Sequence, residues 1–291
     1  MLTPMFCDID DFCKHFEPIY HKYLIDKGHT NRRKPKIALS EMMTIVVYFH
    51  QARFRDFKTY YNMLIRGLLR RYFPSAPSYN RFVELMPRTL LPLCVYLRHK
   101  QGKCTGIAFI DSTSLVVSHN RRIHQHKVFQ GVAARGKTSV GWFFGFKLHL
   151  IVNDQGELLS MQLTPGNCDD RVPVKDLCRD LVGKLVADKG YLSKSLAEEL
   201  LGQNVELITK IRKNMKNKLM LMFDKLLLRK RALIECVFDH LKNICQIEHS
   251  RHRSQAGFMV NLLAGLVAYT FAPKKPSLRR EFKNVLPMIV V

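Results

Sequence analysis

Hydrophobic positions change their spacing once along the chain, near residue 100. Before that point apolar residues recur at helical spacing, and they predict an all-helical region over residues 1–100. Its clearest helix is expected to begin with Ser40 as N-cap and to run to about His50. Ser78 is expected to cap a later helix over Tyr79–Met86. Arginines recur throughout the region, so its helices should present basic faces.

After Gly102 short apolar runs and alternating segments take over, and they predict strands separated by helices. The predicted strands are Ile107–Ile110, Phe144–Val152, Glu157–Leu163, Lys184–Ala187 and Val205–Ile211. The predicted helices run from a cap at Asp169 or Asp170 to about Leu181, over Ser193–Leu201, and from about Asp224 to Ile247. Residues 118–140 are expected to be loop. Strands that alternate with helices indicate an α/β fold.

Composition limits the function classes that fit this fold. The chain has 47 Lys+Arg against 24 Asp+Glu, a net charge of +23 spread along its length, which favours nucleic acid as partner. No secretory signal pattern opens the sequence, and its eight cysteines include no C-x2-C pair, so a cytoplasmic protein without a structural zinc is predicted. The apolar stretch Phe258–Phe271 is too short to span a bilayer and predicts a buried helix, so no membrane partner is expected.

Three acidic residues are candidate ligands for metal ions. Asp111 and Asp188 each follow a short apolar strand, and Glu235 lies on one face of the long predicted helix with Arg231 and Lys242. Three such carboxylates can hold two divalent metals about 3.5–4 Å apart, as phosphoryl-transfer enzymes do. Taken singly, each acid also fits a turn, a cap or a surface ion pair. The combination, in a basic chain, favours a metal site.

These segments resemble a known family. The motifs are Phe109-Ile110-Asp111-Ser112-Thr113, Gly145-Phe146-Lys147-Leu148-His149, Thr164-Pro165-Gly166-Asn167, Ala187-Asp188-Lys189-Gly190-Tyr191 and Arg231-x3-Glu235-x6-Lys242. They resemble DDE transposases of bacterial insertion sequences and, among these, the insertion-sequence-982 family. Relatives often carry Tyr three residues before the Arg of the last motif. Leu228 stands there in this chain, which argues against the subgroup defined by that Tyr.

The resemblance implies an RNase H-like catalytic domain, a mixed sheet flanked by helices, over residues 104–272. Before this domain, the basic helical region over 1–100 is predicted to bind DNA ends, the alternative being an ordinary helical cap with a solvated basic face, and a basic tail over 273–291 is predicted to follow the domain. Asp111, Asp188 and Glu235 become the metal-binding catalytic triad for two Mg²⁺ ions, with Mn²⁺ able to substitute. The activity implied is cleavage of double-stranded DNA at the element's terminal inverted repeats and strand transfer into target DNA, by a homodimer in the synaptic complex on the bacterial nucleoid.

Several basic residues are candidates for contacting DNA. They are Arg231, Lys242, Lys147, Arg121, Arg122 and Lys127. Trp142 could stack on an unpaired base, but a single Trp beside Phe143 and Phe144 is more typical of a core residue. Two alternatives to the transposase remain: an RNase H-like nuclease without strand transfer, and a catalytically inactive derivative that only binds DNA.

Overall fold

The structure is a computed structural model, which describes residues 2–26, 35–139, 141–210, 220–248 and 252–278. The chain divides into two compact units. The first comprises Met1–Lys100 and Leu241–Ala272, and the second comprises Gln101–His240 and Pro273–Val291. This division differs from the predicted boundaries, which placed residues 241–272 with the catalytic domain.

The N-terminal part of the first unit is helical, as predicted. Its helices are α1 Leu2–Asp26, α2 Leu39–Phe49, α3 Phe57–Thr59, α4 Tyr79–Leu85 and α5 Leu90–His99. The Ser78 hydroxyl accepts a hydrogen bond from the Arg81 N–H at 3.4 Å, which confirms the predicted cap of α4. The predicted cap of α2 is wrong. That helix begins after Ala38, whose N–H donates to the Glu41 carboxylate at 2.9 Å, and Ser40 is buried within the first turn.

The second unit is built on one mixed sheet. Its strands are β1 Ile107–Ser118, β2 Ala134–Thr138, β3 Gly141–Asn153, β4 Leu158–Pro165, β5 Gly183–Ala187 and β6 Val205–Thr209. The order is β2-β3-β1-β5-β6, and β4 also pairs with β3. Strands β1, β2 and β4 run antiparallel to β3, whereas β5 and β6 run parallel to β1. This arrangement confirms the predicted α/β class with a mixed sheet.

Strand β2 was not predicted. It lies within residues 118–140, which also contain a 3-10 turn at Asn120–Gln125 instead of only loop. The β2 sequence Ala-Arg-Gly-Lys-Thr has no apolar alternation, so only its pairing with β3 makes it a strand. On its other edge β3 approaches β1 closely at Gly145, where a Cβ would lie 2.0 Å from the Leu115 carbonyl oxygen.

Helices flank the sheet, also as predicted. They are α6 Val174–Leu177, α7 Lys194–Leu201, α8 Met222–Arg229 and α9 Ala232–Asp239. Helices α6 and α7 cover a core that includes Ile110, Ile151 and Leu185. Side chains alternate along a strand, so Phe109 and Val186 point to the opposite face. Helix α8 packs against β5 and β6, and α9 packs against β1.

Two predicted helix boundaries are wrong. Helix α6 begins after Pro173, so neither Asp169 nor Asp170 caps it. The predicted long helix is interrupted at Lys230 and Arg231, where short i→i+3 hydrogen bonds replace the regular ladder, as in the 3.0 Å bond from the Leu233 N–H to the Lys230 carbonyl. The break places Arg231 at the start of α9.

Helix α10, Gln255–Thr270, completes the first unit. It confirms the buried helix predicted from Phe258–Phe271, because it is apolar on almost every side and packs against α2 and α5. In the same unit the buried His50 ring is hydrogen-bonded through Nδ1 to the Cys245 carbonyl oxygen. Within the described residues, no helix combines the length and apolarity needed to cross a bilayer.

Candidate active site

Asp111 lies where β1 extends beyond its parallel neighbour. The parallel pairing of β1 with β5 ends at Phe109 and Val186, whereas β1 continues alongside β3 to Ser118. Asp111 therefore lies inside β1. The sequence had predicted it at the end of the strand, and that prediction is wrong. One carboxylate oxygen accepts from the Ser112 N–H at 2.8 Å, and the other accepts from Arg231 Nη1 at 2.8 Å.

Asp188 follows the last residue of β5 directly and opens a 3-10 turn at Lys189–Tyr191. The negative charge of Asp188 affects the pKa of Asp111. The pKa of the Asp111 carboxyl is raised, mainly by burial; the Ser112 N–H and Arg231 oppose the shift, and the Asp188 charge adds to it. Adjacent parallel strands thus bring two carboxylates near each other at the carboxyl edge of the sheet, the usual location of functional residues in α/β sheets.

Arg231 links the third acid to this pair. Its guanidinium bonds to Asp111 through Nη1 and to the Glu235 carboxylate, four residues along, through Nη2. The predicted common face of Arg231 and Glu235 is therefore present, while Ile234 and Val237 are buried. The planar guanidinium can serve two carboxylates at once, which a lysine ammonium does less well.

On the opposite face of β1 a second polar group surrounds Asp170. Lys147 Nζ donates to its carboxylate at 3.0 Å and to the Cys168 carbonyl oxygen at 2.8 Å, and the Ser112 hydroxyl donates to the same carboxylate oxygen at 3.0 Å. The Lys147 side chain is only 14% exposed. Lys147 was a candidate for contacting DNA, but the structure places it in this internal ion pair.

Two buried polar atoms beside this group have no hydrogen-bond partner among the described residues: the Tyr191 hydroxyl and Nδ1 of His149. Ser112 lies near the Tyr191 hydroxyl, but the pair does not meet the geometric criteria of a hydrogen bond. Burial raises the Tyr191 pKa, and the charges of Asp111, Asp170 and Asp188 raise it further. His149 donates or accepts through Nε2 with the Thr164 hydroxyl at 2.8 Å.

The carboxylates suit a hard divalent cation, because Mg²⁺ and Mn²⁺ prefer oxygen ligands. Two of these acids lie near each other on a partly buried surface. The pKa of Asp111 is raised mainly by burial and to a smaller extent by the Asp188 charge, and a bound cation would oppose both effects. Across the described ranges, no three His, Cys, Asp or Glu side chains are already arranged as a metal-ligand set. The cation that balances Asp111 and Glu235 in this structure is Arg231.

The remaining candidate residues are carried by other segments of the chain. Arg121, Arg122 and Lys127 are exposed, the first two on the 3-10 turn after β1. Lys242 belongs to the first unit, where it forms an ion pair with Glu248 at 3.0 Å. Sequence reasoning missed the part played by Ser112 and took Asp170 for a helix cap. The nearness of Asp170 to the Gly-Phe-Lys-Leu-His motif is long-range, and no local spacing indicates it.

Comparisons with known proteins give the class. Residues 101–255, more than half of the chain, match the family model described as "Transposase DDE domain". The chain therefore belongs to the DDE transposase family, and its function is that of a transposase. Membership implies a nuclease and transesterase that acts on DNA and uses divalent metal ions.

The curated proteins contain no significant match to the sequence. Among solved structures, the chain is similar to a piggyBac transposase in a synaptic complex with hairpin DNA, determined by cryo-electron microscopy. The two share 13% identity at a TM-score of 0.45, over 91% of this chain and 74% of the other.

Proposed function

We propose that Asp111, Asp188 and Glu235 are the catalytic carboxylates of this transposase and that they hold two divalent ions, preferably Mg²⁺ and in its place Mn²⁺. The main support for the proposal is that Arg231 forms ion pairs with both Asp111 and Glu235, at the edge of the sheet where Asp188 follows β5. When bound, such ions activate the attacking oxygen and stabilise the leaving oxygen of an in-line displacement at phosphorus.

The chain's own residues then have distinct roles. Arg231 fixes the orientation of Glu235 relative to Asp111 and offsets the negative charge that gathers there. Exposed Arg121, Arg122 and Lys127 contact the DNA backbone, and Lys242 adds a further phosphate contact where it can exchange Glu248 for DNA. Lys147 supports the site from within the protein, because its ammonium donates hydrogen bonds to the Asp170 carboxylate and the Cys168 carbonyl oxygen.

The substrate we propose is double-stranded DNA at the two terminal inverted repeats of a bacterial insertion sequence, cut and then joined to target DNA by a homodimer bound to the nucleoid. The sequence motifs support the insertion-sequence-982 family, with Leu228 as a departure from Tyr-containing relatives. The helical region over residues 1–100 supplies DNA-end binding, and the domain around the sheet supplies catalysis. Of the predicted basic tail over 273–291, residues 279–291 lie outside the described residues, whereas the buried Leu278 donates its N–H to the Asp154 carbonyl at 2.8 Å. Because two ends must be held together before joining, two copies of the active site are expected in the synapse.

The test uses labelled DNA that spans the ends of the element encoding the chain. We expect Asp111→Asn, Asp188→Asn and Glu235→Gln each to lower cleavage by at least about a thousandfold, since a metal ion supplies several kcal/mol of transition-state stabilisation. Asp176→Asn, in an exposed ion pair with Arg179, is the matched control and should cleave like the wild type. Cleavage by the three site variants at the wild-type rate would refute the assignment.

A second assay separates the alternatives. With a pre-cleaved end, the transposase joins that end to target DNA, whereas a simple nuclease yields no joined product. In EDTA the site variants should bind end DNA as the wild type does, with affinity that falls steeply with salt because counterions are released. Binding without cleavage by the wild type in Mg²⁺ would favour the inactive derivative instead.

A further inference from the structure

Trp142 is exposed where sequence reasoning placed it in the core. The side chain lies at the start of β3 and is 53% accessible, although Phe143 and Phe144 beside it are buried. It is the single Trp of the chain. About half of this large apolar ring is therefore in contact with water, where the aromatic group of a ligand can pack against it.

Two cations lie against this ring. Lys137 is the cross-strand partner of Trp142, and Arg135 lies two residues back on the same face of β2. The Arg135 guanidinium carbon is 5.1 Å from the ring centroid and the Lys137 ammonium nitrogen is 5.7 Å from it, both within cation–π range. Because both cations are exposed, they can bind an anion while a flat group stacks on the ring.

The sequence on both sides of Trp142 carries only positive charges. Between Asp111 and Asp154 the sequence contains no Asp or Glu. The basic 3-10 turn that carries Arg121 and Arg122 is attached directly to the Trp142 backbone, because Asn120 Nδ2 donates to the Trp142 carbonyl at 2.6 Å. Exposed arginines therefore lie close in the fold to an exposed aromatic ring, with no carboxylate from this stretch to oppose them.

The hairpin that presents the ring is held firmly. A Cβ at Gly136 would lie 2.1 Å from the Gly166 carbonyl oxygen, so β2 lies tight against the turn that follows β4. The Thr138 hydroxyl donates to the Gly141 carbonyl at 3.2 Å and ties the two strands near their turn. A ring on a fixed backbone loses little conformational entropy on binding a ligand.

We propose that Trp142, with Arg135 and Lys137, is a stacking site for an unpaired nucleobase, and that the two cations hold the phosphate next to that base. An aromatic face amid cations is the chemistry that binds single-stranded nucleic acid, since every base has a π-face and every nucleotide a phosphate. Strand ends left by cleavage have bases that unstack most easily. The inference rests on the proposed function only in taking DNA as the ligand.

The single Trp makes the test direct. In EDTA, where no cleavage occurs, the emission of Trp142 should be quenched by a short single-stranded oligonucleotide and much less by the same sequence as a blunt duplex. Trp142→Ala should weaken binding of the single strand by about 5- to 150-fold, the effect of losing one stacked base. Trp142→Phe should restore most of the affinity. Leu201→Ala removes another exposed apolar side chain elsewhere in the unit and should change nothing.

Several results would overturn the proposal. One is unchanged emission together with wild-type affinity of Trp142→Ala for the single strand. Equal quenching by heparin or by blunt duplex would reduce the site to a general polyanion surface. A change in emission with protein concentration alone would identify a contact between copies of the chain. Because no step requires catalysis, inactive Asp111→Asn protein should give the same quenching, and failure of the catalytic assignment would leave this result intact.

Discussion

The ion pair between Lys147 and Asp170 gives the sharpest stability prediction, and the change to make is Asp170→Asn. Asparagine keeps an oxygen for the Ser112 hydroxyl and removes the charge that faces Lys147 Nζ. A charged hydrogen bond contributes about 1.5–3 kcal/mol when buried and about 0–1 kcal/mol when exposed. Because Lys147 is 14% exposed and Asp170 is 36% exposed, we expect a loss of about 1–2 kcal/mol.

Thermal unfolding followed by circular dichroism measures this loss. The melting temperature should fall by about 2–8 °C for Asp170→Asn. Asp176→Asn is the matched control, because its pair with Arg179 is well exposed on both sides, and it should shift by less than about 0.5 kcal/mol. In a double-mutant cycle with Lys147→Met, the coupling energy should reach about 1 kcal/mol. Equal effects of the two Asp→Asn changes, or strict additivity with Lys147→Met, would refute the reasoning.

Two further predictions concern stability. Gly145→Ala should lower the free energy of unfolding in urea by more than about 2 kcal/mol, since the new Cβ would meet the Leu115 carbonyl oxygen at 2.0 Å. Gly190→Ala is the control, because its Cβ would have nothing within 4 Å, and it should change the free energy by less than about 0.5 kcal/mol. Similar losses in the two variants would contradict the close approach at Gly145. Burial lowers the pKa of His50 from 6.5 to about 4, so the folded state disfavours protonation and stability falls as pH drops below about 6.5. Between pH 7.5 and 5 the wild type should lose about 2 kcal/mol more unfolding free energy than His50→Gln. Equal losses would show that another group causes the pH dependence.

The sequence predicts those parts of the fold that local spacing determines. Apolar runs around Phe109 and Val186 identify β1 and β5, and the patterns that identify α10 and the cap at Ser78 hold in the structure. The same runs correctly place Asp188 directly after β5, whereas Asp111 lies inside β1 and not at its end. The short polar strand β2 carries no such pattern, and it exists only because β3 offers a pairing edge.

Features that depend on distant neighbours escape this reasoning. Trp142 looks like a core residue from its apolar neighbours, yet at the start of β3 it is exposed, although Phe144 on the same face of the strand is buried. Asp170 has the sequence position of a helix cap, but Lys147, from β3, determines its surroundings. The break at Lys230, between α8 and α9, also has no marker in the sequence, because no Gly or Pro occurs there.

The return of the chain to its first unit has a consequence for synthesis. Helices α2 and α5 emerge from the ribosome early, but α10, which covers them, is made only after the whole sheet. Until then apolar residues such as Ile45 and Leu93 lack part of their cover. The sheet can therefore form during translation, whereas the helical unit is completed only when α10 emerges, and in that interval its uncovered apolar surface is exposed to aggregation.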